Sequence, residues 1–195
     1  DEFLYENNID KKVYPASITK IMTGILILEN EKYNPQAKIA MTKEVLDMIL
    51  GTGSSVSLMV EGEEMTEEDL LYMVLMSSYG DSTLLAAIHY GGSVENFVAM
   101  MNSKAKELGL TGTHYGNPIG LHDEETYTTV RDICTLTKYA LKNEPFKTVC
   151  ETSRHNVTTS RGSRTLSTTN LLQDKNTNYF YQAPVLVVTA NKKGY

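Results

Sequence analysis

Ser17 and Lys20 are the residues of this chain whose types and spacing best suit chemistry. They stand three positions apart in YPASITK, residues 14–20, just after Pro15 and just before a long apolar run. Positions i and i+3 share a helix face, so a helix starting here brings the serine hydroxyl and the lysine amine within hydrogen-bond reach. A serine hydroxyl is a poor nucleophile until a base takes its proton. A lysine in an apolar helix has a reason to give up its charge, because burial lowers its pKa. Ser17 also falls in a first turn, where free N–H groups favour developing negative charge. Together the two make a candidate Ser–Lys acyl-transfer pair. Ser-x-x-Lys alone occurs by chance in most chains of this size. Here Pro15, the helix start at the serine and the lack of an acidic partner for Lys20 in the next turn favour the chemical reading.

The elements that must hold this pair can be read from pattern. EFLYE, residues 2–6, alternates as a strand and NNIDKK is a turn. From Ala16 to about Asn30 the pattern is helical and apolar on nearly every side, as in a central helix, and Pro35 prevents its continuation. Residues 36–65 read as irregular, with strand-like pieces at KIAM and SSVSLMV and a glycine-rich turn at 51–55. Thr66, followed by Glu67, Glu68 and Asp69, starts a helix to about Ser77. After a break at SSYGDS, TLLAAIHY forms a second helix that stops at Gly91-Gly92; Ser93 caps a third, which closes at Gly109. A loop rich in Gly, Asn and Pro follows, and Thr128 or Thr129 starts the helix VRDICTLTKYALKN. Beyond Pro145 the pattern turns to strands: KTVCETSRHNVTT, SRTLSTTN and PVLVVTANKKGY. Helices in the middle and strands at both ends predict an α+β fold in which the first and last segments can share a sheet.

The totals bound the function. A chain of 195 residues suits one domain with a real core, and 41% hydrophobic with 22% charged residues is an ordinary globular composition. A formal charge of −6 without a Lys/Arg-rich run gives no footprint for nucleic acid. No stretch reaches the ~18 apolar residues of a membrane span. The opening DEFLYENNID reads as a strand already under way, so the lack of a leader there says nothing about export. Cys134 and Cys150 are too few for a disulfide framework and read as two free thiols.

LYENNIDKKVYPASITKIMTGIL resembles the region around the active serine of D-alanyl-D-alanine carboxypeptidases, the low-molecular-mass penicillin-binding proteins of the penicillin-recognising serine enzyme family. Three more segments agree in order and spacing. LLYMVLMSSYGDSTLLAAIHYGGS resembles the helical region carrying the family's Ser-x-Asn motif, NPIGLHDEETYTTVRDICTLTKYAL its Asn-Pro-x-Gly-Leu loop and following helix start, and TTNLL its Thr-Asn-x-Leu-Leu segment. The resemblance covers nearly the whole chain. It implies a serine β-lactamase/DD-peptidase-like fold over 1–195: an antiparallel sheet flanked by helices, with an all-helical subdomain over about 35–130 and a sheet lobe from 1–34 and 131–195. It further implies that Ser17 attacks the carbonyl between the terminal D-alanines of a peptidoglycan stem peptide, with Lys20 as general base and Ser78 as proton shuttle. β-Lactams would acylate the same serine, and the backbone N–H of Ser17 would join an oxyanion hole. No metal or cofactor is implied, and the substrate places the activity outside the cytoplasm. Within the family, Asn117 to Leu121 corresponds to a structural loop near the cleft.

The sequence departs from that pattern at three places. Where the second motif has asparagine, this chain has Gly80, in Ser78-Tyr79-Gly80; with Ser17, Lys20 and Ser78 retained, tolerance is expected, with Tyr79 or a water filling in at this substrate-binding position. The third motif, Lys-Thr-Gly, is absent. Lys192-Lys193-Gly194 follows an apolar strand and reads as a turn, so a segment is expected to be missing between about Gln182 and Pro184, either a skipped loop or a true deletion. The family's last sheet strands, its C-terminal β domain and its membrane anchor are also not found, so membrane association would need segments absent here.

Other chemistry is weaker. The four histidines, His89, His114, His122 and His155, come without a Gly-x-Ser-x-Gly elbow for a Ser-His-Asp triad, and His89 reads as a packed helix residue. His122 beside Asp123, Glu124 and Glu125 lacks metal-site spacing and fits a solvated loop. A serine β-lactamase would need a Glu-x-x-x-Asn loop that is not found. A non-catalytic relative that binds cell-wall peptide draws its support from Gly80 and the missing third motif.

Overall fold

The computed structural model describes residues 6–176 and 178. After a 3₁₀ turn at Ala16–Thr19, the chain forms α1 (Lys20–Leu28), β1 (Lys38–Ala40), α2 (Lys43–Ile49), β2 (Glu64–Thr66), α3 (Glu67–Leu75), α4 (Gly80–Gly91) and α5 (Val94–Glu107). It continues through α6 (Val130–Ala140), α7 (Glu144–Glu151), β3 (Arg154–Thr159) and β4 (Gly162–Ser167). The fold is α+β: helices with small antiparallel sheets.

α1 is the axis of this arrangement. Every residue from Lys20 to Ile27 is buried, as its all-round apolar sequence predicts, and α3, α4, α5, α6 and α7 all pack on it. Gly24 is what allows α3 and α7 to come so close: a Cβ there would lie 2.8 Å from Leu75 Cδ2 and 3.2 Å from Phe146 Cε2. The surrounding helices start on side-chain caps. Thr42, Thr66, Ser93, Thr129 and Asn143 each accept a hydrogen bond from the backbone N–H three residues on, satisfying a donor the helix itself cannot. Gly92 ends α4 in the left-handed conformation (φ 80°), and Gly109 (φ 71°) closes the turn after α5.

The sheets are short. β1 and β2 pair antiparallel with Ile39 opposite Met65, and β3–β4 is a hairpin with Val157 opposite Arg164. The hairpin is tied to α3 and β2 by polar contacts. His155 Nε2 lies 2.7 Å from Asp69 Oδ1, its ring stacks on Tyr72 at 3.6 Å, and Ser160 N–H donates to Glu64 O across 2.9 Å. The hairpin therefore sits at a fixed place beside α3, and the chain leaving it, residues 168–170, is delivered to the cleft described below.

The structure departs from the sequence expectations in four places. The segment 35–130 is not all-helical, since it contains β1 and β2. Residues 36–65 hold the helix α2, whose capping Thr42 and inward Val45 and Ile49, one turn apart, are short but sufficient signals. KTVCE is the end of α7 rather than a strand; its β-branched residues suggest strand, but Asn143, Pro145 and the i, i+3 pair Phe146 and Val149 set a helix. SSVSLMV does alternate, with Ser57 and Met59 buried and Leu58 and Val60 exposed, yet it pairs with no strand among the described residues: Leu58 takes a left-handed backbone (φ 61°). The expected strands at 2–6 (apart from Glu6) and 184–195, and the positions around Gln182 and Lys192-Lys193-Gly194, lie outside the described residues.

Gly24→Val puts two methyl groups into the space held by Leu75 and Phe146, and such overpacking costs about 1–3 kcal/mol. Urea denaturation should show the variant's midpoint lowered with an unchanged slope.

Candidate active site

The first turn before α1 is bent into place by its neighbours. Ala16 holds a left-handed φ of 48°, a conformation that costs a non-glycine residue ~1–2 kcal/mol. Its carbonyl is covered by residues 117–121: a Cβ at Gly120 (φ 83°) would fall 1.9 Å from Ala16 O, so only glycine can sit there. Asn117 organises that loop, its Oδ1 accepting from Gly120 N–H at 2.8 Å and from Leu121 N–H at 3.0 Å. From α1, Thr23 Oγ1 donates to Pro118 O at 3.1 Å.

This seating determines the state of Lys20. Its amine lies 3.4 Å from Ser17 Oγ and donates to Ile119 O at 2.7 Å, and the residue is only 3% exposed. Among the described residues no carboxylate offsets the loss of water, and desolvation brings the amine from its ordinary 10.5 down to about 8. Near neutral pH a usable fraction of Lys20 is therefore a free base beside a half-buried serine hydroxyl. The sequence suggested the pair but not the Ile119 carbonyl, since a backbone acceptor 99 residues away carries no side-chain signature.

Ser17 and Lys20 line a cleft whose other walls come from the end of α3, from Ser78, from Phe146 to Thr152 and from Thr168 to Asn170. Ser78 has a left-handed backbone (φ 58°), and its Oγ is buried without a hydrogen-bond partner among the described residues. Ser17 of the 3₁₀ turn, Lys20 of α1 and Ser78 of the turn between α3 and α4 are thus brought into one cleft. Tyr79 and Gly80 continue the turn into α4 but are not among the residues lining the cleft. A side chain at Gly80 would meet Ser54, whose Oγ lies 2.3 Å from the Cβ position. Cys150 faces the cleft as a free thiol that burial pushes up to about 12, and Cys134 is also free. The segment TTNLL, noted only as a matching stretch, contributes Thr168, Thr169 and Asn170 to the wall.

The histidines are engaged elsewhere. His89 lies 3.0 Å from the buried carboxylate of Glu67, which also accepts from Tyr90 OH; His155 meets Asp69; His114 stacks on Tyr127; exposed His122 meets Tyr14 edge-on. None lines the cleft, and among the described residues no group of three His, Cys, Asp or Glu side chains is arranged to hold a metal ion. No described helix is long and apolar enough to cross a membrane.

Comparison with known proteins gives a consistent result. The sequence profile described as D-alanyl-D-alanine carboxypeptidase matches residues 1–195. The D-alanyl-D-alanine carboxypeptidase DacF of Bacillus subtilis is 38% identical over 144 residues, covering 72% of this chain and 36% of that protein. A D-alanyl-D-alanine carboxypeptidase of Streptomyces is 30% identical over 174 residues, covering 85% of this chain and 60% of that protein. Among solved structures, a Streptomyces DD-transpeptidase superposes with a TM-score of 0.82 at 29% identity, covering 89% of this chain and 71% of its own. The matches to these two curated relatives span from 36% to 60% of their lengths.

Burial of Lys20 also makes stability depend on pH. Unfolded, the amine keeps its proton up to about 10.5; folded, only to about 8. Between those values the unfolded state binds more protons, so stability rises with pH; below about 8 the burial penalty is fully present, and above about 10.5 it is gone. Lys20→Met removes the titration. Urea unfolding at pH 7 and pH 10 should show the wild type gaining about 2–3 kcal/mol relative to the variant over that interval.

Proposed function

The chain belongs to the D-alanyl-D-alanine carboxypeptidase family, and from that premise we propose that it is a serine-type D-Ala-D-Ala carboxypeptidase and a penicillin-binding protein. The observation that carries this reading is the dehydrated Lys20 amine 3.4 Å from Ser17 Oγ. Ser17 is the nucleophile. As its oxygen bonds to the carbonyl carbon between the two terminal D-alanines, Lys20 takes the hydroxyl proton. The backbone N–H of Ser17 contributes to stabilising the oxyanion. Ser78, with its unpaired hydroxyl in the same cleft, relays the proton held by Lys20 to the departing D-alanine amine as the C–N bond breaks, which returns Lys20 to its free-base form. Water then attacks the acyl-Ser17 ester, giving a proton to Lys20, which returns it to Ser17 Oγ as the ester C–O bond breaks, and the shortened peptide leaves with a free carboxylate. A β-lactam follows the same first step and remains bound as a slowly hydrolysed ester. We read residues 1–195 as one catalytic domain working on peptidoglycan in the cell envelope, outside the cytoplasm.

Fluorescent penicillin should label the wild type covalently and Ser17→Ala not at all, and release of D-alanine from diacetyl-Lys-D-Ala-D-Ala should be lost in the same variant. Persistent covalent labelling of Ser17→Ala would refute the assignment. Replacing Lys20 should slow acylation by roughly 10²–10⁴-fold, the usual worth of a general base. In the wild type the acylation rate should fall as pH drops below about 8, where Lys20 becomes protonated, and level off above it.

A further inference from the structure

We propose that Ser57 and Asp81 are positioning residues for Ser78: the segment 54–57 ties down the turn 78–81 and so fixes where the Ser78 hydroxyl points. This rests on the reading of Ser78 as proton shuttle. The starting observation is that the Ser78 side chain makes no hydrogen bond among the described residues, so its placement depends on the turn that carries it rather than on a side-chain bond. That backbone is in a left-handed conformation (φ 58°) that serine adopts only when its surroundings impose it.

The imposing contacts flank Ser78 closely. Tyr79 N–H donates to Met73 O at 3.2 Å, and Gly80 N–H donates to Ser55 O at 2.7 Å. Asp81, 1% exposed, then holds the neighbouring strap: its Oδ2 accepts from Ser57 N–H at 2.9 Å and Ser57 Oγ at 2.6 Å, while its Oδ1 accepts from Ser82 N–H at 2.7 Å. Hydrogen bonds to a buried carboxylate are among the stronger ones available to a protein. The strap is anchored in turn, because Arg164 of β4 donates to Ser57 O through Nη1 and to Glu63 Oε1 at 2.9 Å through Nη2. Gly80 admits this arrangement, since a Cβ there would land on Ser54 Oγ. The glycine at this motif position is thus matched to the strap that occupies the space.

The test is a double-mutant cycle on the full chain, read as the acylation rate constant with fluorescent penicillin, together with the crystal structure of Ser57→Ala. Ser57→Ala removes one hydroxyl and leaves the backbone N–H bond to Asp81; should it not fold, Asp81→Asn takes its place. We expect Ser57→Ala to slow acylation by about 10–10²-fold, the size of effect that a misplacement of about 1 Å produces, with reversible binding little changed. We expect Ser57→Ala/Ser78→Ala to be no slower than Ser78→Ala alone, because a residue acting through Ser78 has nothing left to position. The crystal structure should show Ser78 displaced from its left-handed conformation. Effects that multiply, a wild-type rate in Ser57→Ala, or an unmoved Ser78 in its structure would each overturn the proposal while leaving the shuttle reading standing. A wild-type rate in Ser78→Ala would instead remove the shuttle reading and this proposal with it. If the wild type is not labelled at all, the crystal structure still decides whether Ser57 holds Ser78.

Discussion

Everything around Ser17 depends on keeping water away from one amine. Lys20 is a residue that normally carries its charge at the surface, and here its solvent has been replaced by a single peptide carbonyl and a serine hydroxyl. That replacement is incomplete for an ammonium ion, which has three donors to satisfy. The neutral amine, which can also accept a proton, fits the site better. The lowered pKa of Lys20 is thus a by-product of poor solvation arranged by the fold, with desolvation its cause.

The arrangement has two costs that the rest of the molecule offsets. Ala16 and Ser78 both hold backbone conformations that disfavour side chains, Ala16 immediately before Ser17 and Ser78 in the wall of the same cleft. In each case a glycine admits a remote segment at or near the strained residue: Gly120 lies on the Ala16 carbonyl, and Gly80, two residues after Ser78, receives Ser54. The apolar packing of α1 against five other helices provides the rigid base on which such local strain can persist.

Much of this was legible in the sequence, and the reasons for success and failure are physical. α1, α3, α5 and α6 were readable because caps and apolar periodicity agree over a long stretch, as at Thr66, Ser93 and Thr129. α7 was not, because in eight residues the β-branched Thr148 and Val149 outweigh the Asn143–Pro145 start when propensity is read alone. SSVSLMV alternates and still pairs with no strand among the described residues, because its backbone donors go to side chains: Ser57 N–H to Asp81, Met59 N–H to Ser57 Oγ and Val60 N–H to Glu63. At the site, Ser17, Lys20 and Ser78 were visible as residue types at known spacings. The Ile119 carbonyl, the left-handed turns and the Ser54–Gly80 contact were not, since backbone acceptors and excluded volume leave no trace in a one-dimensional pattern.

The separation of 99 residues between Lys20 and its carbonyl partner has a consequence for the nascent chain. Synthesis delivers α1 long before residues 117–121 exist, and long-range contacts of this kind form late in folding because the loop must first be closed. Until that loop docks, Lys20 is hydrated and cationic, and Ser17 is an ordinary alcohol. The lowered pKa of Lys20, and with it the reactivity proposed for Ser17, therefore arises only once that loop has docked.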